Sequence, residues 1–255
     1  MPADRAPAFT DDAVLGGRLR VKQPRRGHRV GHDAILLAAA AGGEPGEHVV
    51  ELGAGVGAAG LALAARRGGV TVTLVEVDPK LTALAAENAR RNGLADRVRA
   101  VALDVAAPAY VFAAAGLEPG IAAHVMMNPP FNETGRGNPS PDAGRRLAHA
   151  AGPALNVWIA TARRLLQPRG ILTLIWRADG LAEVLAALAT GFGAVTVLPV
   201  HPRPGAAAIR ILVAAKKGSL APLSVLPGLV LNDAAGKPTE TAEAILRHGA
   251  ALPLA

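Results

Sequence analysis

The strongest constraint on the fold is a regular alternation of short apolar segments with segments of helical length, which begins at residue 48. The predicted strands are 48–52, 70–75, 98–103, 122–127, 171–176, 195–200 and 209–215. The predicted helices are 33–41, 57–67, 79–92, 154–166 and 181–189. This alternation is typical of an α/β fold with a doubly wound, mostly parallel sheet, here predicted as seven-stranded and Rossmann-like.

The last two predicted strands have no helix between them, so we expect an antiparallel hairpin at one edge of the sheet. Such sheets bind ligands beyond the carboxyl ends of their strands, which makes the residues after each strand the candidates for a site. A chain of 255 residues, 51% of them hydrophobic, can bury one sizeable core. We therefore predict a single domain over 1–255, with 1–45 as an N-terminal extension on the substrate side.

Composition excludes several classes of protein. The chain has no cysteine, which excludes disulfides and cysteine metal sites, and we predict no metal site. The longest apolar run, 34–41, is too short to span a membrane, and residues 1–12 do not resemble a signal peptide. These features predict a cytoplasmic protein that does not act at a membrane.

A glycine-rich segment follows the first predicted strand. Its candidate cofactor-binding residues are Gly53, Ala54, Gly55 and Gly57. Glycines permit a tight turn here and let a ligand approach the backbone. Residues 55–60 also match the G-x-G-x-x-G pattern, so an NAD-dependent oxidoreductase is an alternative. A strand-to-helix turn that binds nothing is a further explanation of the glycines alone.

Acidic residues stand at three successive strand ends, and the first and third of them favour S-adenosylmethionine over a dinucleotide, whereas the second is compatible with either cofactor. Glu51 precedes the glycines, where a carboxylate would repel a pyrophosphate but can receive the charged amino-acid end of S-adenosylmethionine. Glu76 ends the second strand and can accept both ribose hydroxyls. Asp104 follows the third strand and can accept from an adenine amine, although a helix cap or turn would also explain it. The neighbouring Val77 and Val105 complete the predicted cofactor site.

The segment Asn128-Pro129-Pro130-Phe131 follows the fourth predicted strand and holds the candidate catalytic residues. The exocyclic amine of adenine is a poor nucleophile because its lone pair is delocalised into the ring. If the Asn128 amide oxygen and the Pro129 carbonyl accept both N–H groups, the nitrogen becomes more tetrahedral and its lone pair points at a methyl donor. Two prolines fix the backbone, and Phe131 can stack on a flipped-out base. Asn128 is also expected to border the cofactor, and the alternative is a rigid turn with a core phenylalanine.

These motifs together resemble those of Class I methyltransferases, and within them the amino-methyltransferases. Residues 23–37 and the C-terminal segment around 229–245 resemble the bacterial tRNA1(Val) adenine-37 N6-methyltransferase family. The resemblance implies S-adenosylmethionine as the cofactor and the N6 amine of an adenine in RNA, with tRNA preferred, as the acceptor. Many relatives have Tyr where Phe131 stands, which preserves stacking but differs by a hydroxyl. The loop 132–141 also differs from that family, so the substrate follows least securely from the resemblance.

Clustered basic residues predict a polyanionic partner. The net charge is +7, and clustered Lys and Arg bind phosphates by releasing counterions. The candidate substrate-binding residues are Arg25, Arg29, Asp33, Arg145, Arg146, Arg203 and Arg210. Alternatives that stay open are methyl transfer to a protein glutamine or a DNA adenine, and a non-catalytic RNA-binding module.

Overall fold

A computed structural model describes residues 8–25, 29–130 and 154–254. The strands are β1 (Phe9–Val14), β2 (Leu19–Pro24), β3 (His48–Leu52), β4 (Thr71–Glu76), β5 (Val98–Ala102), β6 (Ala122–Met127), β7 (Leu166–Arg177), β8 (Phe192–His201), β9 (Arg210–Lys217), β10 (Ser224–Val225) and β11 (Leu229–Val230). The helices are α1 (His32–Ala40), α2 (Ala58–Arg66), α3 (Pro79–Arg91), α4 (Ala109–Ala114), α5 (Leu155–Leu165), α6 (Leu181–Leu188) and α7 (Glu240–His248), with 3-10 turns at Leu15–Gly17 and Ala178–Gly180. The candidates Phe131, Arg145 and Arg146 lie outside the described residues.

The main sheet confirms the doubly wound architecture. Its strand order is β10-β8-β9-β7-β6-β3-β4-β5, with β11 also paired to β8. Strands β3 to β7 pair in parallel, and β9 is antiparallel to both β7 and β8. One hydrophobic core cluster lies where α1, α2 and α3 meet the sheet, and a second contains the apolar residues of α4, α5 and α6. In the described part of the chain, no helix is both long and apolar enough to cross a membrane.

Two details of the predicted sheet are wrong. Among the described residues the sheet has nine strands rather than seven, and the β8–β9 hairpin is not outermost because β10 and β11 pair with β8 beyond it. These added strands have two residues each, which is too short to produce an alternating pattern. Their pairing covers part of an edge that β8 would otherwise expose.

The N-terminal segment forms a β-hairpin, although the sequence shows only an irregular basic stretch there. Strands β1 and β2 pair antiparallel in a sheet of their own, and two asparagines, one in α3 and one directly after it, bind the free edge of β2. Asn88 accepts from the amide of Lys22 (2.9 Å) and donates to its carbonyl (3.0 Å), and Asn92 makes the same pair of bonds to Arg20 (2.9 Å each). Helix α3 follows β4, so it starts at the carboxyl edge of the main sheet and runs away from it. Strand β2 runs in the opposite direction and therefore ends near that edge, where Arg25 follows.

Replacing Asn88 with Ala should destabilise the fold by about 2–4 kcal/mol. Asn88 is fully buried and also donates to the carbonyl of Val56 (3.0 Å), so its removal leaves buried backbone groups without partners. Urea unfolding measures the change. Asn92→Ala is the matched control, with a smaller expected effect because Asn92 is partly exposed and water can replace it. Equal destabilisation of the two variants would contradict this account of the hairpin.

Candidate active site

The loops that follow β3, β4, β5 and β6 lie at the carboxyl edge of adjacent strands. In the register of β3 and β6, Leu52 lies beside Met127, so Gly53 and Asn128 leave the sheet at the same level. On the other side, Val75 lies beside Leu52 and Glu76 beside Ala102. The fold therefore brings the glycine segment, the acids Glu51, Glu76 and Asp104, and the Asn-Pro-Pro segment to one edge, as a parallel sheet requires.

The three glycines of the loop serve different purposes. All have positive φ, at 69° for Gly53, 57° for Gly55 and 85° for Gly57. A methyl group at Gly53 would lie 2.6 Å from the Trp158 ring, and one at Gly57 would lie 2.7 Å from a Leu74 methyl. No described atom lies within 4 Å of the corresponding position at Gly55, so a ligand can approach the backbone there.

The backbone of Ala54 fixes this loop to the sheet. Its amide donates to the Val75 carbonyl (2.9 Å), and its carbonyl accepts from the Gly57 amide (2.8 Å). The Ala54 side chain is only 8% exposed. Its position in the predicted cofactor site is therefore a matter of backbone geometry rather than of side-chain chemistry.

Glu51 stabilises the start of the helix that follows the loop. Its Oε2 accepts from the Gly60 amide (2.7 Å) in the first turn of α2, where carboxylates interact favourably with the helix dipole. Burial nevertheless dominates and raises the pKa of this carboxyl from 4.5 to about 8, and the nearby Glu76 charge acts in the same direction. The sequence predicts a cofactor contact for Glu51 and gives no sign of this structural role.

Glu51 should make the cofactor-free protein less stable as pH rises from 5 to 8. The folded-state pKa is raised, so the stability is fully present below 4.5 and declines until the pH reaches about 8. Glu51→Gln keeps an acceptor for Gly60 but does not ionise. The free energy of unfolding of the Gln variant should therefore rise relative to wild type, by at most about 1.4 kcal/mol per pH unit across this window. Urea unfolding at several pH values tests this, and a difference that does not change with pH would refute it.

Glu76 joins the glycine loop to the loop after β4. Its Oε2 accepts from the Gly55 amide (2.7 Å) and its Oε1 from the Asp78 amide (3.0 Å), with the residue 8% exposed. Each carboxylate oxygen has two acceptor positions, so both oxygens retain the capacity to bind a ribose hydroxyl. The adjacent Val77 is 62% exposed and offers an apolar surface beside them. Asp78 caps α3 by accepting from the Lys80 amide (2.7 Å).

Asp104 and Val105 differ in exposure. Asp104 is exposed and its Oδ1 accepts from the Ala106 amide (2.8 Å), which is the turn predicted as its alternative role. That bond leaves the carboxylate with capacity for a further donor. The Val105 side chain is 5% exposed and packs in the core, and its carbonyl accepts from the Thr161 hydroxyl (2.9 Å). Sequence reasoning missed Thr161, whose contact joins residues far apart in the chain.

The Asn-Pro-Pro segment begins directly after β6. Asn128 and Pro130 are partly exposed and Pro129 is buried. Strand β6 lies between β3 and β7, which fixes the starting point of the segment from both sides. The side-chain amide of Asn128 and the Pro129 carbonyl are therefore two acceptors on adjacent residues of a restricted backbone.

The candidate arginines separate into exposed and ion-paired groups. Arg25, after β2, and Arg203, in the β8–β9 turn, are exposed. Arg29 instead binds Asp12 at 2.8 Å, and hydrogen bonds from Gln23 and Thr10 together with this cation lower the pKa of that carboxyl. The charge of Arg29 is thus partly neutralised within the fold.

Asp33 and Arg210 form an ion pair at 2.9 Å, with both side chains about three-tenths exposed. The pair joins the start of α1 to the start of β9. Both residues are among the predicted substrate-binding residues, and the structure shows that the charge of Arg210 is compensated by that of Asp33. The two residues are 177 positions apart in the sequence, so no local sequence pattern indicates this ion pair.

A doubly wound sheet with a glycine loop, three acids and Asn-Pro-Pro at four adjacent strand ends defines a Class I methyltransferase. The family model "Methyltransferase small domain" matches residues 32–201, and the chain belongs to this family. The resemblance predicted from the motifs is thereby confirmed. The G-x-G-x-x-G match at 55–60 belongs to a methyltransferase loop and not to an NAD-dependent oxidoreductase.

Named relatives cover most of the chain. It is 30% identical over 178 residues to tRNA1(Val) (adenine(37)-N6)-methyltransferase of Porphyromonas gingivalis, covering 68% of each chain. Identity to the Shewanella amazonensis protein of the same name is 30% over 197 residues, or 75% of this chain and 79% of that one. The crystal structure of a predicted O-methyltransferase from Agrobacterium tumefaciens is 31% identical with a TM-score of 0.74, covering 87% of this chain and 98% of that chain.

S-adenosylmethionine is the cofactor of this class, and the residues present fit it. Gly55 leaves its backbone open to a ligand, and Glu76 has acceptor capacity for hydroxyls. Val77 and Asp104 add an exposed apolar and an exposed acidic side chain at neighbouring strand ends, as a nucleoside requires. When bound, this cofactor supplies an electrophilic methyl group.

Proposed function

We propose that this chain methylates the exocyclic N6 amine of an adenine in tRNA. The observation that carries the proposal is the Asn-Pro-Pro segment, which starts level with the glycine loop on the neighbouring strand. The relatives from Porphyromonas gingivalis and Shewanella amazonensis, both named for adenine-37 N6 methylation of tRNA, support this choice of acceptor.

In the proposed mechanism, Asn128 and Pro129 prepare the acceptor nitrogen. The Asn128 Oδ1 and the Pro129 carbonyl each accept one N–H of the adenine amine, which directs its lone pair away from these two acceptors. Pro130 restrains the segment, and Phe131 stacks on the extruded base. No base is needed before the transfer, because the nitrogen becomes acidic only after it gains the methyl group. The surplus proton of the methylated, positively charged nitrogen is then lost to water, since the two neutral oxygens can accept a hydrogen bond from it but cannot keep the proton.

The proposed cofactor site consists of Glu51, Gly53, Ala54, Gly55, Gly57, Glu76, Val77, Asp104, Val105 and Asn128. Glu76 accepts from the ribose hydroxyls and Asp104 from the adenine amine of the cofactor. Gly55 presents its backbone, and Glu51 lies nearest the charged amino-acid end. For Val105 we assign the backbone, since its side chain packs in the core.

The name of the Agrobacterium tumefaciens structure raises oxygen as an alternative acceptor atom. A hydroxyl carries one proton and needs a base to remove it before transfer. Two neutral acceptors on Asn128 and Pro129 suit a group with two N–H bonds, as in an adenine amine or a glutamine amide. The acceptor segment therefore favours nitrogen over oxygen.

The acceptor class is tested by labelled methyl transfer to total tRNA, rRNA, DNA and protein from a strain that lacks this gene. We expect the label in tRNA. Label confined to protein would support transfer to a protein glutamine. Label confined to DNA would support transfer to a DNA adenine. Label in no fraction, with S-adenosylmethionine bound, would contradict every acceptor considered.

Charge reversal at Arg203 should weaken RNA binding and flatten its dependence on salt. Arg203 is exposed at the same carboxyl edge of the sheet as the proposed acceptor site, three strands away from it, and removing one phosphate-binding cation lowers the salt slope by about 1. The matched control is Arg169→Glu, because Arg169 is also exposed but lies at the start of β7, at the opposite edge of the sheet. Binding titrations between 50 and 200 mM salt, roughly the range in which phosphate binding responds most clearly, measure both variants. Equal effects of the two reversals would remove Arg203 from the RNA-binding surface.

A further inference from the structure

One face of α5 contacts the loops on both sides of Glu76. Trp158 and Thr161 are three residues apart, so their side chains lie on one face of the helix. Both are buried, with 5% and 4% of their surfaces exposed. Neither residue is part of the proposed cofactor contacts, yet each touches a loop that is.

Trp158 contacts the glycine loop from the buried side. A methyl group at Gly53 would lie 2.6 Å from Cη2 and 2.9 Å from Cζ3 of its indole ring. The ring therefore lies directly against the Gly53 backbone. It prevents that segment from moving inward, away from the ligand side where Gly55 is open.

Thr161 binds the loop after β5. A threonine within a helix commonly donates to a carbonyl three or four residues earlier in the same helix. Here its hydroxyl donates instead to the Val105 carbonyl at 2.9 Å, next to Asp104. One turn further, the Arg164 guanidinium lies over the Phe112 ring at 4.7 Å and donates to the Ala107 carbonyl at 3.4 Å. The same helix face thus follows this loop over several residues.

We propose that α5 positions both cofactor-binding loops, with Trp158 and Thr161 as the positioning residues. The proposal rests on the proposed function, since it concerns the same cofactor site. The two loops flank Glu76, and one rigid helix that contacts both sets the distance between the Gly55 backbone and the Asp104 carboxylate. A shift of α5 relative to the sheet would then change cofactor affinity without contact between α5 and the cofactor.

The test compares Thr161→Val, Thr161→Ser and Ile159→Val. The Val variant keeps the shape of threonine without the hydroxyl, and the Ser variant retains the hydroxyl. Ile159 is buried on the same helix as Thr161 and belongs to the same hydrophobic core cluster as Trp158, so Ile159→Val is a control for general destabilisation. Calorimetry measures S-adenosylmethionine binding, and steady-state kinetics with tRNA separates KM from kcat.

Thr161→Val should weaken S-adenosylmethionine binding about tenfold and raise its KM by a similar factor, with kcat changed less than about twofold. Thr161→Ser and Ile159→Val should bind within about twofold of wild type. Equal binding by the Thr161→Val and Ile159→Val proteins would overturn the positioning role. If wild type itself binds no S-adenosylmethionine, the proposed function fails instead, so the two failures are distinguishable.

Trp158 provides a second measurement. The chain has two tryptophans, so Trp176→Phe leaves Trp158 as the single tryptophan, and excitation at the long-wavelength edge of the tryptophan band avoids Tyr110. Saturation with S-adenosylmethionine should change the emission of Trp158. Adding Thr161→Val should raise the S-adenosylmethionine concentration at the midpoint of this titration about tenfold. Unchanged emission at a cofactor concentration shown by calorimetry to be saturating would contradict contact between Trp158 and a ligand-responsive loop.

Discussion

Replacing Asn128 with Ala should lower kcat for methyl transfer by about 100- to 1,000-fold. In the proposed mechanism the side chain supplies one of two acceptors that hold the amine, and without it the nitrogen lone pair stays delocalised in the ring. S-adenosylmethionine affinity should stay within about threefold of wild type, because we assign the main cofactor contacts to Glu76 and the glycine loop. Single-turnover kinetics and calorimetry on the same protein measure the two quantities.

Asn128→Asp provides the comparison for this experiment. Aspartate keeps an acceptor oxygen in nearly the same position, so the Asp variant should be more active than the Ala variant. It should be less active than wild type, because its negative charge would be buried against the base. Activity of the Ala variant within twofold of wild type would remove Asn128 from the mechanism. A parallel decrease in cofactor binding would instead show that the contact of Asn128 with the cofactor, rather than with the acceptor amine, is the larger part of its role.

Replacing Glu76 with Ala should weaken S-adenosylmethionine binding by about 100-fold, or roughly 3 kcal/mol. The change removes the proposed acceptor of the ribose hydroxyls. It also removes the bonds to the Gly55 and Asp78 amides at 2.7 and 3.0 Å, so the loop that approaches the cofactor is no longer supported. Calorimetry measures the affinity, and urea unfolding separates it from a decrease in stability.

Asp78→Ala is the matched control for Glu76→Ala. It removes the cap of α3 and should lower stability by about 0.5–2 kcal/mol, while the Asp78 amide can still donate to Glu76. Cofactor affinity of this control should stay near that of wild type. If Asp78→Ala and Glu76→Ala weaken binding equally, the effect comes from the loop as a whole and Glu76 has no specific role.

The strand-end residues could be predicted from sequence because the information is local. Parallel strands bring their carboxyl ends to one edge, so Gly53, Glu76, Asp104 and Asn128 could be assigned to one site before any contact was known. These predictions required only the order of the elements.

Contacts between distant residues could not be predicted in this way. The hairpin edge is held by Asn88 and Asn92, which look locally like ordinary helix residues. Arg29 and Arg210 appear in the sequence as free cations, and each has an acidic partner that only the fold brings near. The bond from the Gly60 amide to Glu51 is hidden for the same reason, because the helix start and the strand end meet only after folding.

The central claim is N6 methylation of an adenine in tRNA, and nucleoside analysis of the labelled product tests it most directly. The tRNA methylated by wild type in vitro is digested to nucleosides and separated by liquid chromatography with mass detection. The account predicts the label in N6-methyladenosine, with little or none when Asn128→Ala replaces wild type. Label in a 2′-O-methyl nucleoside, in a ring-carbon methyl of a pyrimidine, or in N1-methyladenosine would contradict it.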